Sequence, residues 1–117
     1  MKKISPAKLL KSNPFVLAPM DDVTDIAFRK ICEDRGVSYS ISELTSVDAL
    51  VRDKVTLARY QRGNLKTSGV QLFGNNPDTF CEAADFVSDN ADFIDVNFGC
   101  PSATVTGNDA GSMLLKD

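Results

Sequence analysis

Apolar residues along the chain fall into short continuous runs that alternate with stripes of helical spacing. Phe15-Val16-Leu17-Ala18-Pro19 is a short apolar run closed by proline, the pattern of a strand buried on both faces. Asp22 and Thr24 then offer helix N-caps. Ala27, Phe28, Ile31 and Cys32 recur at three- and four-residue steps, and Gly36 follows as a helix-ending glycine, so 24–35 is predicted as an amphipathic helix. Val37 to Ser42 has strand character, and Val47 to Tyr60 is a helical region. Ser68 to Gly74 is a third strand. Asn76-Pro77 is an N-cap with proline at the first helical position, ahead of a stripe of Phe80, Ala83, Ala84 and Val87. Asp92 to Asn97 is a fourth strand, followed by a loop and a helix-like stretch from Ala110 to Leu115.

Strands alternating with helices imply right-handed βαβ units and a parallel sheet. The expected fold class is therefore α/β, with about four βα units forming the N-terminal half of a (β/α)8 TIM barrel. A complete barrel takes about 250 residues, so a chain of 117 is expected to stop near the midpoint, as one partial domain over residues 1–117. An open doubly wound sheet is the competing arrangement. It is disfavoured because the first strand-to-helix turn carries no G-x-G-x-x-G. In a barrel the chemistry gathers where strands end and loops begin. That rule puts Pro19 to Asp22, Ser42-Glu43, Gln71 to Gly74 and Asn97 to Pro101 on one rim.

Composition narrows the class. With 43% hydrophobic and 25% charged residues the chain can form a core, and no stretch approaches the roughly 18 apolar residues of a membrane span, so a cytoplasmic location is expected. Cys32, Cys81 and Cys100 lie far apart, there is no histidine, and no structural metal or disulfide scaffold is expected. The net charge of −3 argues against nucleic-acid binding by the chain as a whole. Charge is uneven, however. Arg52, Lys54, Arg59, Arg62 and Lys66 crowd one connecting region, while Thr67 to Leu115 contains no Lys or Arg. Such a cluster is either a phosphate-binding patch or an ordinary solvated face.

Several motifs together carry a family likeness. Leu17-Ala18-Pro19-Met20, Val23-Thr24-Asp25, Phe28-Arg29, Ser42-Glu43, Gln71-Leu72-Phe73-Gly74 and Asp95-Val96-Asn97-Phe98-Gly99-Cys100-Pro101 resemble the tRNA-dihydrouridine synthases in order and spacing. The resemblance implies an oxidoreductase in which NADPH reduces FMN and the reduced flavin passes hydride to C6 of a uridine in tRNA, while an acid protonates C5. Cys100 would be that acid. A thiol suits the task, since its reference pKa of about 8.5 keeps it mostly protonated near neutral pH, whereas a carboxyl at about 4 has lost its proton.

By the same resemblance Ala18, Pro19, Met20 and Gln71 would hold the flavin, and Asn97 and Glu43 would contact substrate. An amide at position 97 can offer a donor and an acceptor to a uracil edge, or simply cap a strand end. Gln71 leaves a buried strand, where an unpartnered amide costs about 1 to 3 kcal/mol, and a flavin edge would partner it. Arg29 and Glu43 are alternatively an ion pair near the rim, with Asp25 and Arg29 structural; Cys32 and Cys81 fall in predicted helices and are expected to be inert. Thr104 stands where these enzymes commonly have Lys or Arg, and the late-barrel residues that hold the flavin phosphate have no counterpart here. Two rivals remain: a non-catalytic half barrel that self-associates or pairs with a separate C-terminal half, and an FMN barrel acting on a free pyrimidine.

Overall fold

The computed structural model of the chain describes residues 4–53 and 57–116. The basic Met1-Lys2-Lys3 start and Lys54 lie outside the described residues. Four strands form one parallel sheet: β1 (Ser40–Ile41), β2 (Thr45–Ser46), β3 (Ser68–Phe73) and β4 (Phe93–Val96). The helices are α1 (Pro6–Ser12), α2 (Ile26–Asp34), α3 (Val47–Asp53), α4 (Pro77–Val87) and α5 (Ala103–Thr106). The structure is thus a mixed α/β fold with a parallel sheet, as the alternation predicted.

β3 is the centre. It pairs β4 on one side, and β1 and β2 on the other. Its apolar residues Val70 and Leu72 face Val47 and Leu50 of α3 and Ala83 and Val87 of α4, all fully buried, with Tyr60 and Ala91 closing the core. The predicted stripe of α4 is therefore the stripe that packs. Its cap is also as predicted, because the Asn76 side chain accepts from the N–H groups of Asp78 and Thr79 ahead of Pro77. On the opposite face of the sheet, Tyr39 meets Phe93 edge to face with centroids 5.1 Å apart. Gly69 makes room for that ring, since a Cβ there would lie 2.5 Å from it.

Other elements depart from expectation. The segment at Phe15 to Pro19 pairs only through a bridge between Leu17 and Ser40, and it is not buried on both faces, since Phe15 is 71% exposed. One side of this edge has no strand beside it among the described residues. The cap of α2 is Asp25, whose carboxylate accepts from Phe28 N–H at 2.8 Å, and not Asp22 or Thr24. Thr24 instead folds its hydroxyl onto the backbone of Met20. The predicted apolar stripe of α2 also points outward, with Phe28 and Ile31 exposed, while the one fully buried side chain of the helix is Arg29. The single helix expected over Val47 to Tyr60 is α3 and a 3-10 turn at Leu57–Arg59, with 54–56 outside the described residues. Short α5 was not anticipated, and the stretch from Ala110 is a 3-10 turn at Gly111–Lys116.

Arg29 explains why α2 turns its polar side inward. Its Nε donates to Ser40 Oγ at 3.0 Å, and a terminal nitrogen donates to Ser68 Oγ at 2.7 Å and to Gly69 O at 3.3 Å. The guanidinium thus ties α2 to the amino ends of β1 and β3. Burial pushes its pKa down to about 10, against the opposing pull of Glu33. Its partners are hydroxyls and carbonyls at the amino end of the sheet, so the anticipated ion pair with Glu43 does not form. Replacing Arg29 by Ala leaves a cavity and strands these buried oxygens. The Arg29→Ala change is expected to remove about 3 kcal/mol of stability, read as a fall in the urea midpoint, and an unmoved midpoint would disprove this account.

Candidate active site

The carboxyl edge of the sheet starts from an irregularity. Ser40 and Ile41 face Ser68 and Gly69, and Thr45 and Ser46 face Leu72 and Phe73, so three residues between the pairs oppose two on β3. That extra residue is a bulge, which bends the strand and re-aims its side chains. Ser42 repairs the ladder: its N–H donates to Gly69 O, and its Oγ accepts from Gln71 N–H at 3.2 Å and donates to Glu43 O. The displaced Glu43 brings its carboxylate to within 4.8 Å of Asp21 and Asp22. Arg59 supplies countercharge, donating to Asp21 at 2.9 Å and to Leu44 O at 3.1 Å. The hydrogen bond to Asp21 holds the Arg59 pKa above its ordinary value, opposed by partial burial.

The turn after β4 is built by Asn97. Its Oδ1 accepts from Gly99 N–H at 3.1 Å and from Cys100 N–H at 2.9 Å, and its Nδ2 donates to Gln71 Oε1 at 3.1 Å. Gln71 in turn donates from Nε2 to Asp95 Oδ2 at 2.6 Å. The Gln71 amide therefore has protein partners on both atoms, and the premise that it waits unpaired for a flavin is corrected. The Asn97 expectation needs the same revision. A carbonyl oxygen accepting two N–H groups has used both lone pairs, so Asn97 caps the strand end and retains one N–H donor and no acceptor.

Cys100 follows on this turn, half-buried and free. Its carbonyl accepts from Ser112 N–H, and Gly111, at φ +61, passes so close that a Cβ there would lie 2.7 Å from that oxygen. Two clefts meet at the thiol-bearing residue. One, of about 530 Å³, lies among Leu44, Ser46, Ala49, Arg59, Phe73 and Cys100. The other, of about 460 Å³, lies among Pro19, Gln71, Val96, Asn97, Phe98 and Cys100.

Of the residues singled out from sequence, Pro19, Gln71, Asn97 and Cys100 thus come together on one cleft. Ala18, Met20 and Glu43 line neither; Ala18 and Met20 are exposed at the edge and Glu43 is buried beside Asp21. Cys32 sits half-buried in α2 and Cys81 exposed in α4, away from both clefts. Sequence reading missed Asp95, although an aspartate inside a strand and two positions before Asn97, hence on the same face, was the available signal. It also missed Leu44, which lines both clefts together with Asp21, a residue the strand-end rule had put on the rim. The basic cluster is not one patch. Arg59 belongs to the carboxyl edge, whereas Arg62 pairs with Asp92 at 2.8 Å at the amino ends of β3 and β4.

A parallel sheet whose carboxyl edge carries a cleft lined by a half-buried cysteine and an amide network defines a βα protein. The dihydrouridine synthase family model matches residues 16–117, and the chain belongs to that family. It is similar to the "Probable tRNA-dihydrouridine synthase" of Rickettsia prowazekii, with 38% identity over 91% of this chain and 34% of that protein. It is also similar to the tRNA-dihydrouridine synthase B of Pasteurella multocida, at 38% over 89% of this chain and 32% of that protein. The protein of that name from Shewanella oneidensis is 36% identical over 98% of this chain and 36% of its own length. The chain spans about a third of the length of the curated relatives it matches. Among the described residues no helix is long and apolar enough to cross a membrane.

The close approach at Gly111 makes the turn sensitive to a single methyl group. Gly111→Ala is expected to cost about 1 to 3 kcal/mol, combining strain at positive φ with a backbone clash. Thermal unfolding measures it, and a melting temperature equal to the parent's would contradict the packing described.

Proposed function

We propose that this chain forms the first part of the catalytic domain of a tRNA-dihydrouridine synthase, the N-terminal half of a (β/α)8 barrel, acting on tRNA in the cytoplasm. The carrying observation is Cys100, half-buried on a braced turn at the carboxyl end of β4 where two clefts meet. The family membership supports the substrate, and the alternation of parallel strands and helices supports the barrel.

The residues present fit the ring of a flavin better than its phosphate. Pro19, Val96 and Phe98 offer apolar surface beside the buried Gln71 amide. Arg59 at the cleft is already paired with Asp21, and Thr67 to Leu115 contains no Lys or Arg. In this reading the phosphate is held by later residues of the longer protein, Pro19 and Gln71 face the ring, and Ala18 and Met20 shape the approach. When bound and reduced by NADPH, FMN would supply a hydride for C6 of the uracil. Cys100 delivers the proton to C5, leaving as thiolate and recovering its proton from solvent. The spare N–H of Asn97 suits a carbonyl oxygen beside C5, where negative charge builds as C6 is reduced. Glu43 serves from behind, with Asp21 and Asp22, as part of the acidic floor.

The alternatives make different predictions. A self-associating half barrel of 117 residues forms concentration-dependent oligomers without flavin, and an enzyme for free pyrimidines reduces uracil while leaving tRNA unchanged. In the full-length protein, Cys100→Ala is expected to keep its flavin and its reduction by NADPH, while uridine reduction in unmodified tRNA falls by about 10²- to 10⁴-fold, the usual contribution of a general acid. Undiminished tRNA turnover in this variant rules out the proton-donor role.

A further inference from the structure

The chain of side chains behind Cys100 runs in one direction. Backbone N–H groups of Gly99 and Cys100 can only donate, and a carboxylate can only accept. Between these ends lie two amides, each able to face either way. Asn97 Oδ1 receives the two backbone donors, Asn97 Nδ2 donates to Gln71 Oε1, and Gln71 Nε2 donates to Asp95 Oδ2 at 2.6 Å. Every link matches donor to acceptor only in this orientation. Reversing the Gln71 amide would set its oxygen against the Asp95 carboxylate and its nitrogen against Asn97 Nδ2. The cross-strand register Gln71↔Asp95 places the terminal acceptor where it must be.

We propose that Asp95 is a positioning residue. By accepting from Gln71 Nε2 it holds the Gln71 amide against Asn97, and through them the turn that presents Cys100 and the single spare N–H of Asn97. Its link to catalysis rests on the dihydrouridine synthase reading. Its effect on the turn does not.

Exchanges of nearly equal volume test the chain. Asp95→Leu removes the terminal acceptor and strands the Gln71 Nε2 donor, whereas Asp95→Asn alone can keep its side-chain oxygen toward Gln71 and the chain matched. Gln71→Glu sets two carboxylates against each other. The double variant Gln71→Glu with Asp95→Asn restores a matched chain, because the introduced amide at 95 can donate to the carboxylate at 71, which still accepts from Asn97. In the full-length protein, hydrogen exchange at the Gly99 and Cys100 amides is expected to quicken by about tenfold or more in Asp95→Leu and in Gln71→Glu, and to return to within about threefold of the parent in the double. Turnover on tRNA should fall in Asp95→Leu with bound flavin retained, chiefly in kcat.

Exchange unchanged in Asp95→Leu, or a double variant no better protected than Gln71→Glu, overturns the proposal. A protein that follows the exchange pattern but leaves tRNA uridine unreduced upholds Asp95 as a positioning residue and refutes the dihydrouridine synthase reading. The two failures are therefore separable.

Discussion

The register of β3 against β4 is the constraint from which the rim follows. Gly69, Gln71 and the residues they oppose, Phe93 and Asp95, share one face of the sheet, while Val70, Leu72 and Ile94 face the helices. Side chains alternate with period two, so a slip of one residue would exchange these sets. It would send Gln71 into an apolar core and leave Leu72 at the cleft. Burial of Val70 and Leu72 against α3 and α4 is thus what holds the amides together on the other side.

The two ends of the sheet divide the work. At the amino end, Arg29 joins α2 to Ser40, Ser68 and Gly69, and Asp92 joins Arg62 to the start of β3. These contacts are buried or half-buried and close on themselves. At the carboxyl end the strands finish in a bulge, a left-handed Asp22 and a tight turn around Gly111, and Asn97 retains one N–H donor. Rigid closure at one end supports irregular backbone at the other.

Sequence reading succeeded where one rule acted alone. The cap at Asn76-Pro77, the stripe on α4 and the β3 and β4 strands came from local chemistry, and strand-end logic gathered Pro19, Gln71, Asn97 and Cys100 on one cleft. It failed where tertiary partners decide. The outward turn of Phe28 and Ile31 depends on Arg29 finding hydroxyls eleven and thirty-nine positions away. Likewise, that Gln71 is already satisfied requires knowing its register with Asp95, which lies twenty-four positions further on. The bulge at Ser42 to Leu44 has no composition mark, because serine and glutamate are common in regular strands' ends and loops alike.

The uncovered side of α2 has a bearing on how such a protein comes into being. Phe15, Phe28 and Ile31 are present from the earliest part of the chain, and a ribosome adding about 5 to 20 residues each second exposes them well before any later segment of a longer polypeptide emerges. During that interval a greasy surface stands open to other nascent chains. Holdase chaperones that recognise apolar stretches would find their first foothold here.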